Sequence, residues 1–309
     1  MHARVIVDSP VQPRARPRTD GSQASSADVQ AAVSYIVPNG APAQAYEYDP
    51  PPGVPRRSNA YREHFVRIRN ARALQQAPTL DTKGFEIRPH ATRVQAFYDA
   101  EEVRRVYYPE VEELVKAATG AASVIVFDHT VRGENLETRA GTEVQEPVSR
   151  VHNDYTPESA LRRAEDFVPA GDWQRLLNHR IVELNVWRPI RGPVQGKPLA
   201  VIDAASVKPE DVVRCELIYR DRSGEIYYLA HNPEHEWYYY PDMRREEALL
   251  IKGYDSDSAR ARFAAHAAFT NPQAPAGALP RESIEVRAFA FFAPEESRPH
   301  LADYMVQWR

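Results

Sequence analysis

From residue 120 onward the chain is cut into short runs of β-branched and aromatic residues, with turn formers between them, and this spacing admits few architectures. Strands are expected at 123–127, 148–154, 182–189, 199–203, 212–219, 225–230, 236–240, 248–253 and 284–292. Many strands at such short spacing build a sandwich or a closed barrel, not a parallel sheet with crossover helices. Strand side chains alternate between two faces, so any chemistry on these runs is carried by residues two apart.

The N-terminal third reads differently. Residues 1–27, rich in Pro, Ala, Ser and Arg, are expected to be a disordered tail, and 28–309 one domain with an N-terminal arm. In the arm, 29–37 is a short helix or strand and 45–48 a strand. Asp49-Pro50-Pro51-Pro52-Gly53 stops regular structure. Phe85 and Ile87 suggest another strand. Val94, Phe97, Tyr98, Val103, Val106, Tyr107, Val111, Leu114 and Val115 recur at helical spacing, giving two helices divided at Pro109. These helices should cover one outer face, so the class is mainly β with flanking helices. The polar run 131–146 reads as a mobile loop and a lid. Thr156-Pro157 opens a further helix.

Composition excludes several functions. With 39 basic and 43 acidic residues the net charge is -4, so nothing favours nucleic acid as a partner. Cys215 is alone, which rules out an intrachain disulfide and a cysteine-rich metal site. It sits in an apolar run and is expected to be a buried thiol. No signal-like or membrane-length apolar stretch is visible, so a cytoplasmic location is expected, with no membrane partner.

The chemistry centres on Arg150-Val151-His152-Asn153-Asp154-Tyr155-Thr156. On a strand His152 and Asp154 point to one side, and an imidazole with a carboxylate is two-thirds of a facial triad for iron(II). Downstream, His266 is flanked by apolar residues, and a strand opening with Arg281 follows fifteen positions later. On that strand Arg281, Ser283, Glu285 and Arg287 share a face. Burying two arginines there demands anions. A dicarboxylate cosubstrate would supply them, and so would pairing with Glu282, Glu285 or other acids.

These pieces resemble the iron(II)/2-oxoglutarate-dependent oxygenases, in the order His-x-Asp, distal His, Arg-x-Ser. The resemblance is to the branch of gibberellin-desaturase-like and AsaB-type hydroxylase/desaturases and the cephamycin methoxylation protein. It is carried by the 151–156 segment, Asn185-Val186-Trp187-Arg188-Pro189-Ile190, Pro198-Leu199-Ala200, Trp237-Tyr238-Tyr239-Tyr240-Pro241-Asp242-Met243, Lys252-Gly253-Tyr254-Asp255-Ser256 and 280–287. It covers the chain from about residue 85 onward and implies a double-stranded β-helix (jelly-roll, cupin-like) barrel. It implies iron(II) at His152, Asp154 and His266, with dioxygen as the oxidant. It also implies 2-oxoglutarate held chiefly by Arg281, with Ser283 beside it and Arg287 and Arg188 as helpers. The implied reaction is hydroxylation, desaturation or cyclisation of a small molecule, of the kind found in specialised metabolism.

Three rivals stand against this. His235, in polar surroundings at a strand start, competes with His266 as third ligand, although a surface or outer role suits it better. A barrel of this kind could bind a small molecule without turning it over. An iron and dioxygen enzyme could also dispense with 2-oxoglutarate and use Arg281 for a substrate carboxylate. A hydrolase finds no support, because neither a Gly-x-Ser-x-Gly elbow nor a His-Glu-x-x-His helix is present.

Overall fold

The computed structural model describes residues 28–293, apart from 135–137, 140–141 and 170. The expected tail, 1–27, lies outside the described residues. The strands run in chain order β1 (Val29–Ile36), β2 (Ala43–Tyr46), β3 (Tyr61–Asn70), β4 (Phe85–Pro89), β5 (Ser123–Gly133), β6 (Thr138–Arg139), β7 (Thr142–Glu143) and β8 (His152–Asn153). They continue with β9 (Ile181–Arg191), β10 (Leu199–Ile202), β11 (Val212–Ile218), β12 (Ser223–Leu229), β13 (Trp237–Tyr239), β14 (Glu247–Asp255), β15 (His266–Ala268) and β16 (Glu282–Phe291).

They form two main sheets. One has the order β1-β3-β13-β10-β15-β8-β12-β11-β2, the other β4-β14-β9-β16-β5. The first curls back on itself, since Ser34 of β1 also bridges to Arg150 just before β8. Its curl encloses Val33, Tyr35, Ala200, Ile202, Trp237 and Tyr239. Between the sheets, Trp187, Leu249 and Ile251 meet Leu199, Val201 and Tyr238. The strand density after residue 120 thus gives two curled, mostly antiparallel sheets.

The N-terminal arm does more than lie over this frame. β1 and β2 form the two ends of the larger sheet, and β3 joins β1 to β13. β3 has no counterpart in the sequence reading. One face carries the exposed Glu63, Phe65 and Arg67, Arg62 on the other face is exposed too, and only Ile68 and Asn70 are buried, so no apolar alternation marks it. Main-chain pairing on both sides makes it a strand.

The helices differ from expectation in one instructive way. A turn, α1 (Ala100–Glu102), runs through a π-helical stretch at Val103–Tyr107 into α2 (Tyr108–Thr119) without a break. Pro109 stands at the start of α2, directly after the π-helical stretch. The wider π turn just before it, with Tyr108 N–H bonded to Val103 O, makes room for the ring. Asp99 caps α1 through the N–H groups of Glu101 and Glu102, and Gly120, at φ 74°, closes α2. Val111 and Val115 of α2 pack on the outer face of the smaller sheet, in one apolar cluster with Val182, Leu184 and Val186 of β9.

One further expectation changes. The run 131–146 is not all loop, because β5 continues through Gly133 and β6 and β7 pair as a short hairpin. Residues 135–137 and 140–141 of that run lie outside the described residues. After Asp154 the chain enters α3 (Pro157–Glu165) as expected, with Thr156 and Ser159 exchanging capping hydrogen bonds. A short α4 (Trp173–Leu176) follows. Cys215 is buried, which pushes its thiol up to about 12.

Candidate metal centre

The larger sheet brings the two histidine segments together. β15 and β8 are antiparallel neighbours, and His266 pairs directly with His152. The ring centroids are 4.5 Å apart. Asp154 lies just past the end of β8, and its Oδ1 is 3.4 Å from His152 Nε2. One ligand atom from each of His152, Asp154 and His266 lies within 4.8 Å of the others.

Main-chain carbonyls set the face that each imidazole presents. His152 Nδ1 bonds Arg150 O at 2.8 Å, and His266 Nδ1 bonds Ala264 O at 3.3 Å. A carbonyl can only accept, so the proton sits on Nδ1 and the Nε2 lone pair is free to bind an ion. Burial, helped by the neighbouring His152, pushes His266 down to about 4, so it is neutral at pH 7. The donor set therefore suits iron(II), which takes neutral imidazoles and a carboxylate.

The far oxygen of Asp154 is held by the smaller sheet. Asn185 Nδ2 donates to Oδ2 at 2.9 Å and Arg287 Nε at 3.1 Å. Burial alone would raise this carboxyl. The Arg287 guanidinium, together with His152 and His266, outweighs it and holds Asp154 well below the usual carboxylate range. Oδ1 is left toward the histidines.

Arg281, Ser283, Glu285 and Arg287 occupy one face of β16, as the alternation suggests, but the two arginines have different fates. Arg287 directs its remaining nitrogens at Asp128 Oδ1 (3.0 Å), Thr130 Oγ1 (3.3 Å) and Glu285 Oε1 (3.0 Å). Arg281, only 2% exposed, donates to Ser283 Oγ (3.0 Å) and Lys197 O (3.4 Å) and lies 4.9 Å from the Trp187 ring. No side-chain carboxylate bonds its guanidinium among the described residues. Burial and the charge of Arg132 push it down to about 9, still cationic at neutral pH.

Arg188 does not join this group. On β9, Asn185 and Trp187 face inward, so Arg188 faces outward, beneath the helices. Its guanidinium lies 5.2 Å from the Tyr107 ring and 6.0 Å from Phe97, and it donates to His90 O. Strand parity thus separates it from Arg281 and Ser283. His235 is also distant in role. It is buried, not at the surface, with Nε2 3.1 Å from Asp211 Oδ2 and Nδ1 2.9 Å from Tyr35 Oη.

Two residues near the centre escape the sequence reading. Asn185 stands out in the sequence only as part of a motif, although its inward parity marks it. Glu183, two positions earlier on the same face, is fully buried, with neither carboxyl oxygen bonded. It packs against Gly253, where a Cβ would collide with Oε2 and force the Glu183 carboxyl to shift. Burial, reinforced by the Asp154 charge, raises Glu183 well above its usual range. In the unfolded chain it loses its proton above about pH 4.3, whereas the folded protein holds it to higher pH. Stability should therefore fall as pH rises, by about 1.4 kcal/mol per pH unit from this group. In metal-free Glu183→Gln protein, denaturant unfolding should show a shallower loss as pH rises above about 4.3. An unchanged slope would show that the carboxyl ionises freely.

Comparison with known proteins identifies the family. The family described as "Oxidoreductase/YMDC permease-like domain" matches residues 33–291. Among the described residues no helix is long and apolar enough to cross a membrane. The Fe(II)/2-oxoglutarate-dependent dioxygenase nvfI of Aspergillus novofumigatus is 33% identical over 253 residues, covering 80% of this chain and 90% of that protein. The hydroxylase/desaturase CTB9 of Cercospora beticola is 33% identical over 267 residues, covering 79% and 81%. The solved structure of the iron and alpha-ketoglutarate-dependent endoperoxidase NvfI superposes with a TM-score of 0.78 at 30% identity, covering 88% of this chain and all of that one. The two curled sheets are accordingly the jelly-roll barrel implied by the resemblance. By sequence and by fold, the chain belongs to the Fe(II)/2-oxoglutarate-dependent oxygenases, among relatives that include the fungal hydroxylase/desaturases.

Proposed function

We propose that this protein catalyses the iron(II)- and 2-oxoglutarate-dependent oxidation of a small molecule in specialised metabolism, by hydroxylation, desaturation or cyclisation. One observation carries the reading: His152, Asp154 and His266 lie together, each imidazole with Nδ1 on a main-chain carbonyl and its Nε2 turned away from that carbonyl, and Asp154 tied back through Oδ2. These three residues would hold iron(II), and residues 28–293 serve as one oxygenase domain. With dioxygen and 2-oxoglutarate, the bound metal supplies oxidation of a C–H bond coupled to oxidative decarboxylation of the cosubstrate.

The chain's own task is to position and to shield. Arg281 takes the carboxylate of 2-oxoglutarate far from the metal, with Ser283 fixing the guanidinium from the side. Its burial without a carboxylate partner supports a 2-oxoglutarate site over an enzyme that dispenses with it. Arg287 and Asn185 orient Asp154, and the buried barrel wall excludes water. Anaerobic addition of iron(II) and 2-oxoglutarate should produce a visible charge-transfer band. Admission of air should then yield succinate. A protein that gives neither, while binding small molecules, would be a barrel without catalysis.

A further inference from the structure

Position 132 falls in the polar run that reads as loop, yet it lies on β5 directly across from Ser283. Parity turns its side chain inward, because Asp128 and Thr130 on the same strand bond Arg287 from that face. The Arg132 guanidinium donates to Gln145 Oε1 (3.1 Å) and to the Glu146 carbonyl (3.2 Å). Among the described residues no carboxylate pairs with it. Arg281 lies diagonally across the strand pair, within reach for side chains this long.

Two cations thus border one stretch of barrel wall, and the acids beside them are committed elsewhere. Glu285 bonds Arg287, and Glu134 Oε2 accepts the main-chain N–H of Arg281 at 2.7 Å. Arg132 is the foremost charge acting against Arg281. Like charges gathered in a buried site are costly unless an anion joins them.

We propose that Arg132 is a second arm on the cosubstrate, closing with Arg281 on the same distal carboxylate of 2-oxoglutarate from the neighbouring strand. This rests on the reading of Arg281 given above. A carboxylate offers about four lone-pair sites, enough for two guanidinium groups. The pair would select a dicarboxylate 2-oxo acid over a monocarboxylate one.

The test is calorimetric titration of the manganese(II)-loaded protein with 2-oxoglutarate and with 2-oxopentanoate, which lacks the distal carboxylate. Arg132→Gln should weaken 2-oxoglutarate by about 10–100-fold, as expected for loss of a charge-assisted contact, and leave 2-oxopentanoate within about twofold. Arg132→Lys should recover part of the loss by restoring the charge. Equal weakening of both acids would mean a structural role, and no weakening of either would mean no role; each overturns the proposal. Arg281→Gln serves as the control. If it leaves 2-oxoglutarate binding intact, the carboxylate end itself is misassigned, and the proposal falls with that assignment.

Discussion

Alanine at His152, Asp154 or His266 is expected to abolish iron-dependent succinate formation and to remove tight iron(II) binding. The loss should exceed the roughly 10–100-fold that follows removal of an outer partner of a metal ligand, because each change deletes an atom proposed to bind the metal. His266 and His235 make the sharpest comparison. His266 lies beside His152 on paired strands, with its Nε2 free. His235 uses both ring nitrogens, on Asp211 and Tyr35. His235→Ala should therefore keep iron binding within about threefold while lowering stability by about 1–3 kcal/mol, since buried Asp211 loses a partner. Calorimetry with iron(II) under anaerobic conditions, paired with denaturant unfolding, separates the two. A His152→Ala protein that still consumed 2-oxoglutarate at the normal rate would sink the assignment.

How far this site can be read in advance depends on which residues obey strand parity. His152 and Asp154 are legible because two-residue spacing brings them together, although Asp154 lies past the strand end and not within it. The shared face of β16 is legible for the same reason. Parity also holds the answer for Arg188, since Trp187 and Asn185 both face inward, but motif likeness alone puts it at the carboxylate end. Arg132 and β3 are lost through polarity. Both lie on strands whose pairing is made by the main chain, while their side chains carry charge. Polar neighbours likewise make His235 look exposed, because the Asp211 and Tyr35 that bury it are distant in sequence. Pro109 misleads in the opposite direction, as a helix breaker that a π-helical stretch instead accommodates within one continuous run.

Arg287→Leu is expected to be the most damaging change outside the three donors. It would leave Asp154, Asp128 and Glu285 facing one another with their shared cation gone. Asp154 and Glu285 are 16% and 6% exposed at their side chains, so water can screen them only in part. Removing one partner of a buried ion network costs about 3–5 kcal/mol. Iron(II) affinity should also fall by about 10–100-fold, because Asp154 loses the guanidinium that fixes Oδ2 and keeps the carboxyl ionised. Lysine at 287 should recover little, since one ammonium cannot reproduce bonds directed at three carboxylates. Binding of 2-oxoglutarate, measured at saturating metal, should change by less than about threefold, because every nitrogen of Arg287 is already bonded within the protein. The opposite pattern, normal iron affinity with 2-oxoglutarate weakened about tenfold or more, would make Arg287 a cosubstrate residue and leave Asn185 alone to orient Asp154.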